Sequence, residues 1–220
     1  MTGMVFFDCD STLSRIEGVD EMARFRGASV LAEIEAMTRR AMEGEIGLDA
    51  IFGKRLELVR PSREETAAIG ELYVKTIEPA ARATVDRLKA EGWETGILSG
   101  GYRQAIQPLA DHLGIGLIEA VDLLFHPDGT YAGHDRDYPT TRNGGKPEIV
   151  RRWKERHGGP VVMVGDGISD LETKGVADRF IGYGGFVVRG AVRDGADRFA
   201  MSLEEIPEMV RDLLPTRGAS

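Results

Sequence analysis

The sequence predicts an α/β fold, with a Rossmann-like parallel sheet core, an inserted small helical-bundle cap and a β-hairpin flap. Three observations predict it. Short apolar runs alternate with segments of helical periodicity, a long stretch after the first run contains only helical patterns, and a later turn sequence lies between alternating apolar residues. Alternating strands and helices are typical of βαβ units. With 220 residues, 42% of them hydrophobic, the chain can bury a substantial core.

The core strands are predicted from apolar runs rich in branched or aromatic residues, the composition of buried parallel strands. These runs are MVFF at 4–7, ETGILS at 94–99, VVMVG at 161–165 and RFIGY at 179–183. Because all four runs lie within residues 1–13 and 78–220, we assign these two ranges to the core domain. Within that domain the tail PTRGAS is predicted to fray.

Helix signals separate the runs. One predicted helix begins with Pro79 and stops at Gly92, and another has Pro147 in its first turn and Gly158 as its stop. Helices favour proline at the start and glycine just past the end. The segment YRQAIQPLADHLG also predicts a helix, which Pro108 should kink or end in its first half.

Residues 14–77 predict the helical cap. No strand-like run occurs there, and apolar residues recur at helical spacing in SVLAEIEAMTRRAMEG and GLDAIFGKRLELV. Ser62 and Glu65 form the capping-box pattern of a last helix, so a break is expected near Arg60. The flap is predicted from the turn PDG at 127–129, which alternating apolar residues flank.

Composition limits the partners and the compartment. The 28 basic and 36 acidic residues give a net charge of −8, which argues against a nucleic-acid or anionic-membrane surface. The single Cys9 excludes an intramolecular disulfide, no basic start precedes a long apolar run, and no run reaches membrane-spanning length. We therefore expect a cytoplasmic protein without nucleic-acid or membrane partners, in which any anionic ligand is held locally.

Asp8 and Asp10 are the first polar residues after the first strand. Ligands of open α/β sheets bind outside the carboxyl ends of the strands, and residues two apart in extended chain face the same side. Two carboxylates so close together need a cation or a proton between them. The alternative is an ordinary loop in which Asp10 caps Ser11 and Thr12.

Three further polar clusters lie at ends of predicted strands or starts of predicted helices. SGG at 99–101 ends a strand and begins a helix, where a hydroxyl and free N–H groups can hold an anion. Lys146 lies at another helix start and can neutralise a phosphoryl oxygen. GDGISD at 165–170 adds Asp166 and Asp170. Taken singly, these clusters have ordinary alternatives, namely a helix cap, a surface lysine and an Asp-Gly turn.

Together the four clusters resemble the four motifs of the haloacid dehalogenase superfamily of phosphohydrolases. Segments spread over roughly residues 4–214 closely resemble the phosphoserine phosphatases of that superfamily: STLSRIEGVDE, MTRRAM, RLELVRPSREE, ILSGGYR, GGKPEIV and FIGYGG. The resemblance implies a Mg²⁺-dependent enzyme of serine biosynthesis that hydrolyses L-phosphoserine to L-serine and phosphate through an aspartyl-phosphate. It also implies a Rossmann-like core with a small helical cap inserted after the first motif.

The resemblance implies roles for the acidic residues of the core. Asp8 would be the nucleophile that attacks phosphorus, and Asp10 would act as the acid and the base. Asp8, the Asp10 backbone carbonyl and Asp166 would hold Mg²⁺. Asp170 would support that shell, either through a coordinated water or by orienting Lys146.

The resemblance also implies how the substrate is bound. Ser99, the Gly100 N–H group and Lys146 would hold the phosphoryl oxygens, whose negative charge must be stabilised during transfer. In the cap, Glu17 would meet the substrate ammonium and Arg55 its carboxylate. The alternatives are that Glu17 caps a helix and that Arg55 lies on a solvated face.

Met42 is predicted to belong to a lid that excludes water from the closed site, although a methionine at helical spacing is also an ordinary core residue. The family pattern leads us to expect Gly-Gly after Met42, and this chain has Glu43-Gly44. A bulkier, charged Glu43 could loosen the lid or change what fits beneath it.

Three other functions stay open at this point. The first is hydrolysis of another small phosphomonoester, such as phosphocholine or phosphoethanolamine, or transfer to an alcohol such as homoserine; the Glu17 and Arg55 pair argues against it. The second is a signalling receiver with a phosphorylated aspartate, against which the large cap and Asp10 argue. The third is an inactive binding module, which would leave the full set of chemical groups without a use.

Overall fold

The computed structural model describes residues 2–214 and contains a six-stranded, wholly parallel sheet in the order β3-β2-β1-β6-β7-β8. A separate antiparallel pair, β4-β5, is the predicted hairpin. The strands are β1 Gly3–Phe7, β2 Trp93–Tyr102, β3 Leu117–Val121, β4 Leu123–Phe125, β5 Tyr131–His134, β6 Val161–Gly165, β7 Arg179–Tyr183 and β8 Arg198–Ala200. The predicted α/β class is confirmed, and the tail at 215–220, predicted to fray, lies outside the described residues.

Helices lie between the strands, and four of them follow β1 directly. These four are α1 Gly18–Arg24, α2 Ala28–Met42, α3 Leu48–Val59 and α4 Arg63–Lys75. The remaining α-helices of the described chain are α5 Ala81–Ala90, α6 Arg103–Leu113, α7 Gly145–His157, α8 Ile168–Leu171, α9 Gly190–Gly195 and α10 Ile206–Val210. The division into a core and a cap at residues 14 and 77 stays a prediction. Every helix within residues 2–214 is too short or too polar to cross a membrane.

Local signals at helix ends account for several boundaries. The Ser62 side chain accepts a hydrogen bond from the Glu65 N–H at 3.1 Å, and the Glu65 carboxylate accepts one from the Ser62 N–H at 2.8 Å, which confirms the capping box. Gly92 and Gly158 follow α5 and α7 with φ values of 96° and 67°, which favour glycine. Helix α5 begins two residues after Pro79.

Helix α6 runs through Pro108 without ending, so of the two predicted effects the end is wrong, and the kink stays a prediction. The reason lies in packing against α4. A Cβ atom added to Gly70 of α4 would lie 2.7 Å from Pro108 Cγ, so the proline ring fits against a position without a side chain. The tertiary contact therefore outweighs the helix-breaking tendency of proline.

The two edge strands, β3 and β8, are not predicted by apolar runs. Strand β8 has three residues, and β3 carries the half-buried Glu119 at its centre. All five residues of the central β1 are buried, by contrast. The chain builds outward on one side of β1 through β2 and β3, and on the other side through β6 to β8. The carboxyl end of β1 is therefore the switch point at which such sheets bind ligands.

Candidate active site

The predicted site residues meet at the carboxyl end of β1, around a cavity of about 210 Å³. Seven of them line it: Asp8, Asp10, Glu17, Met42, Arg55, Ser99 and Gly100. Lys146 is buried against Asp8, and Asp166 and Asp170 belong to the same carboxylate cluster. The structure therefore brings together residues that lie far apart in the sequence.

Lys146 occupies the first turn of α7 and is 4% exposed, so the alternative of a surface lysine is wrong. Its Nζ lies 3.0 Å from Asp8 Oδ1 and donates a hydrogen bond to Asp170 Oδ1. Burial alone would lower the pKa of Lys146, but the Asp170 and Asp8 carboxylates outweigh burial and raise that pKa well above its usual range. Lys146 is therefore a fixed positive charge beside Asp8.

Asp8, Asp166 and Asp170 each offer one carboxylate oxygen to a buried cluster in which these atoms lie within 4.8 Å of one another. Within residues 2–214, Asp8 Oδ1 contacts Lys146 in an ion pair, but no hydrogen bond of regular geometry reaches this oxygen. A buried carboxylate oxygen without a regular hydrogen-bond donor, in a set of oxygen ligands, suits a hard cation such as Mg²⁺. These residues therefore fit a bound Mg²⁺, and the assignment of individual ligands stays a prediction.

When the metal is absent, the negative charges of the three carboxylates repel one another. Burial and, to a smaller extent, the negative Asp8 raise the pKa of Asp170 to about 8 and that of Asp166 to about 6. Hydrogen bonds hold the two carboxylates in place, from the Gly167 N–H to Asp170 at 3.0 Å and from the Thr12 hydroxyl to Asp166 at 3.3 Å.

The metal-free protein should lose stability as the pH rises. Because the pKa values of Asp166 and Asp170 are raised, the folded state holds protons that the unfolded state releases near pH 4, roughly the ordinary pKa of aspartate. This contribution to stability is complete below that pH and is lost as the pH rises through the folded-state values. We expect the free energy of unfolding in EDTA to fall by at least about 1.4 kcal/mol between roughly pH 5 and roughly pH 8.

Calorimetric melting in EDTA and in Mg²⁺ measures this effect. Because Mg²⁺ supplies the missing positive charge, the stabilisation by Mg²⁺ should grow over the same pH interval. The matched control is Asp170→Asn, which removes one titrating group. In this variant the free energy of unfolding in EDTA should fall less steeply as the pH rises. A stabilisation by Mg²⁺ that is constant with pH would contradict the expectation.

Donors from later in the chain hold the Asp10 carboxylate. Its Oδ1 accepts hydrogen bonds from the Gly18 N–H and from the Tyr73 hydroxyl, each at 2.6 Å. The N–H groups of Ser11 and Thr12 donate to backbone carbonyls instead, so the alternative in which Asp10 merely caps them is wrong. Burial and, to a smaller extent, the Asp8 charge raise the pKa of Asp10 to about 7. A carboxyl that titrates near neutral pH suits an acid and base.

Strand β2 continues through residues 99–101 to Tyr102, and α6 begins only at Arg103. The expectation that these residues begin a helix is therefore wrong. The pairing with β3 shifts register between Leu98 and Tyr102, and this irregularity lets the strand extend past its apolar run. Within it, the Ser99 Oγ accepts a hydrogen bond from the Gly101 N–H at 3.0 Å, which leaves the hydroxyl proton available for a ligand.

Arg55 is buried and lines the cavity, so the alternative of a solvated face residue is wrong. Its guanidinium donates one hydrogen bond to the Thr38 hydroxyl at 3.2 Å. The Arg55 Nε is buried and has no hydrogen-bond partner among the described residues. An unpartnered buried N–H group of an arginine suits a carboxylate ligand, which accepts two hydrogen bonds side by side.

Glu17 occupies the position before α1, but its side chain makes no capping hydrogen bond there. Its carboxylate instead accepts a hydrogen bond from the Ser11 hydroxyl at 2.7 Å and faces the cavity. Burial raises the pKa of Glu17 well above its usual range, and Asp10 and Asp166 raise it further. A cationic group in the cavity would relieve this repulsion.

Met42 ends α2 and contacts the core loop that carries the aspartates. Its Sδ lies 3.0 Å from the position that a Cβ atom would take on Gly167. Glu43, the departure from the family pattern, is exposed and does not line the cavity. In this conformation, Glu43 therefore changes neither the shape nor the charge of the cavity wall.

Cys9, the single cysteine, lies between the two acids and is fully buried in the main hydrophobic core. Burial raises the pKa of its thiol well above the usual range, and the charges of Asp10 and Asp8 raise it further. The thiol is therefore protonated and packed in the core, which argues against a nucleophilic role for Cys9.

Similarity to known proteins identifies the family of this chain. Residues 3–173 match the sequence model of the haloacid dehalogenase-like hydrolases. The phosphoserine phosphatase of Bos taurus is 38% identical over 205 residues, which are 92% of this chain and 90% of the relative. The chain belongs to the phosphoserine phosphatase family of the haloacid dehalogenase-like hydrolases. The superfamily predicted from the four motifs is thereby confirmed.

Solved structures of phosphoserine phosphatase relatives share the whole fold. A phosphoserine phosphohydrolase-like protein from Francisella tularensis subsp. tularensis SCHU S4 has a TM-score of 0.85 at 28% identity, with 96% of this chain and 100% of that chain covered. A phospho-aspartyl intermediate analogue of a phosphoserine phosphatase has a TM-score of 0.82 at 27% identity, with 94% and 98% covered. The predicted enzyme class, a hydrolase, is confirmed.

In this phosphoserine phosphatase relative, the polar residues at the site include several that no motif predicted. Arg189 Nε donates to Asp166 Oδ2 at 3.0 Å, and its Nη2 lies 3.9 Å from Glu17 Oε1. Asn143 Oδ1 accepts a hydrogen bond from the Leu48 N–H at 2.8 Å. Tyr73, described above, is another. Only Arg189 left a signal, as a cation after the glycines that follow the last predicted strand.

Proposed function

We propose that the protein hydrolyses L-phosphoserine to L-serine and phosphate, as a step of serine biosynthesis. The observation that carries the proposal is the buried Arg55 Nε, which has no partner among the described residues, in a cavity that Glu17 and Asp8 also line. A cation for a carboxylate, a carboxylate for an ammonium and a phosphoryl acceptor together match a phosphorylated amino acid. The named activity of the relatives supports the same substrate.

Asp8 is the nucleophile of the proposed reaction. Its carboxylate attacks phosphorus, and the bond from phosphorus to the serine oxygen breaks as the aspartyl-phosphate forms. Asp10, whose pKa is raised to about 7, gives its proton to the departing serine oxygen. Asp10 then takes a proton from the water that attacks the aspartyl-phosphate, which frees phosphate and restores Asp8.

The phosphoryl group is held by donors that surround Asp8. Lys146 Nζ, 3.0 Å from Asp8 Oδ1, supplies a fixed positive charge, and the Ser99 hydroxyl and the Gly100 N–H supply hydrogen bonds. These groups stabilise the charge on the equatorial oxygens as the bonds to phosphorus loosen.

Mg²⁺ is the proposed cofactor. Asp8, the Asp10 backbone carbonyl and Asp166 would hold it, and bound Mg²⁺ would neutralise charge on the phosphoryl oxygens. Asp170 orients Lys146 through their hydrogen bond, which is one of the two supporting roles expected for it. Arg189 donates a hydrogen bond to Asp166 Oδ2, and the Thr12 hydroxyl donates one to the other oxygen, Oδ1.

Substrate choice depends on the helices that follow β1. Glu17, before α1, binds the substrate ammonium, and Arg55, on α3, binds the substrate carboxylate. Met42, at the end of α2, closes the cavity over the phosphoryl group by its contact with the loop of Gly167. A small ester without a carboxylate would leave the buried Arg55 unpaired, and therefore binds more weakly.

Phosphate release from four esters tests the proposal. L-Phosphoserine, phosphocholine, phosphoethanolamine and an aryl phosphate are compared with Mg²⁺ and with a chelator. We expect Mg²⁺-dependent release with a strong preference for phosphoserine. Preference for another ester would overturn the substrate and keep the chemistry. A stable phosphorylated protein would instead indicate a receiver, and no release from any ester an inactive binding module.

Arg55→Ala should separate substrate recognition from chemistry. We expect kcat/KM for phosphoserine to fall by about 100-fold, because the buried carboxylate partner is lost, and kcat/KM for an aryl phosphate to change by less than about threefold. The matched control is Arg39→Ala, at an exposed position of α2, which should change neither. Equal losses for both substrates would contradict the assignment of Arg55 to the substrate carboxylate.

A further inference from the structure

Tyr73 reaches the proposed acid and base from a distant part of the chain. It lies near the end of α4, its side chain is buried, and its hydroxyl donates to Asp10 Oδ1 at 2.6 Å. The phenol is a single donor whose ordinary pKa keeps it protonated at neutral pH. The described contacts of Asp10 therefore include a side-chain donor for which neither motif nor spacing gave any sign.

The Tyr73 hydroxyl shares its acceptor with the backbone of residue 18. The Gly18 N–H donates to the same Asp10 Oδ1 at 2.6 Å. A Cβ atom on Gly18 would lie 2.1 Å from the Tyr73 hydroxyl oxygen, so only glycine leaves room for the phenol at this place. The three groups thus form a clamp, which we define as Asp10, Gly18 and Tyr73.

The clamp leaves the second carboxylate oxygen in a different environment. Asp10 Oδ2 lies on the side of β2, 3.1 Å from the position that a Cβ atom would take on Gly101. The Ser99 hydroxyl lies beside the same position, at 3.2 Å. Because Oδ1 already has two donors, Oδ2 is the oxygen that remains for proton exchange next to the phosphoryl-binding residues.

We propose that Tyr73 is a positioning residue, which holds Asp10 so that its Oδ2 exchanges the proton in both steps of the reaction. This inference rests on the proposed function. In the first step, Oδ2 gives its proton to the departing oxygen while Asp8 bonds to phosphorus. In the second, Oδ2 takes a proton from water while the water oxygen bonds to phosphorus and the Asp8–phosphorus bond breaks. Loss of the hydroxyl lets the carboxylate rotate away from this geometry.

The test compares Tyr73→Phe with the unchanged protein, both with Mg²⁺. For phosphoserine, we expect kcat to fall by about 10- to 100-fold and KM to stay within about twofold, because the hydroxyl does not touch the substrate. Release of nitrophenolate from p-nitrophenyl phosphate in a single turnover needs no proton on the leaving group. It should fall by less than about threefold.

Two more variants keep the test decisive. Tyr131→Phe removes another buried tyrosine hydroxyl, one bonded to His134 in the hairpin, and should leave both substrates unchanged. Gly18→Ala puts a methyl group where the Tyr73 hydroxyl lies and should reproduce the Tyr73→Phe pattern with the tyrosine still present. Melting temperatures of all variants show that each is folded during the assay.

The outcomes separate this inference from the proposed function. If Tyr73→Phe lowers phosphoserine and nitrophenolate release equally, or raises KM at constant kcat, the positioning role is overturned. If the unchanged protein prefers another alkyl phosphate to phosphoserine, the proposed substrate fails. The same alkyl-against-aryl comparison with that ester then tests Tyr73.

Discussion

Asp8→Asn should abolish turnover, with kcat for phosphoserine reduced by about 10⁴- to 10⁶-fold. The amide has nearly the shape of the carboxylate but cannot form the aspartyl-phosphate, so the reaction loses its covalent route. The change also removes one negative charge 3.0 Å from the Lys146 ammonium. Phosphate release under single-turnover and steady-state conditions measures the loss, and acid-quenched protein should no longer carry labelled phosphate.

The matched control for this variant is Asp86→Asn. Asp86 is exposed on α5, where it pairs with Arg82, so the same chemical change there should leave kcat unchanged. Melting should show that Asp8→Asn remains folded and is no less stable than the parent in EDTA, because one of the crowded charges is gone. Substantial turnover by Asp8→Asn, with the variant verified by mass, would exclude Asp8 as the nucleophile.

Lys146→Met should have the largest effect on stability. Methionine fills a similar volume, but it leaves Asp8 and Asp170 buried without their cation. Removing one partner of a buried ion pair is strongly destabilising, and we expect the free energy of unfolding in EDTA at about pH 9, where Asp170 is ionised in the folded state, to fall by about 3 kcal/mol or more. Urea unfolding measures this value, and kcat should be lost as well because the phosphoryl group loses a donor.

A second substitution tests the cause of that loss. In the double variant Lys146→Met with Asp170→Asn, one unpaired carboxylate is removed, so part of the stability should return while activity does not. Lys75→Met is the control, because its ion pair with Glu71 on α4 is exposed and contributes at most about 1 kcal/mol. The loss of unfolding free energy in the double variant should be smaller than the sum of the losses in the two single variants. A loss larger than that sum would show that charge burial is not the cause.

The parts of the fold that local chemistry dictates could be predicted from the sequence. The strands at 161–165 and 179–183 match their predicted limits because each is a buried apolar run. The Ser62–Glu65 capping box is equally local. The extension of β2 to Tyr102 could not be predicted in this way, because it depends on an irregular pairing with β3.

The same distinction applies to the site residues, because local patterns predict some of them and long-range contacts determine the others. Acids and glycines that follow strands marked the positions of Asp8 and Asp166, since the carboxyl edge of a parallel sheet collects such groups. Tyr73 and Arg189 could not be predicted as site residues because each contacts an aspartate across a long sequence separation. Each residue type is also ordinary where it occurs. An aromatic residue at helical spacing predicts core packing, and only the three-dimensional arrangement gives its hydroxyl an acceptor.

The reactivity of the buried Cys9 thiol reports when the carboxyl end of β1 separates from its neighbours. As the only thiol in the chain, it gives a single labelling signal, and its place between Asp8 and Asp10 puts that signal at the switch point of the sheet. A thiol reagent can react only after the strand end separates from its neighbours, because burial both shields the sulfur and keeps it protonated. The labelling rate with and without Mg²⁺ therefore measures how far the metal holds this centre closed.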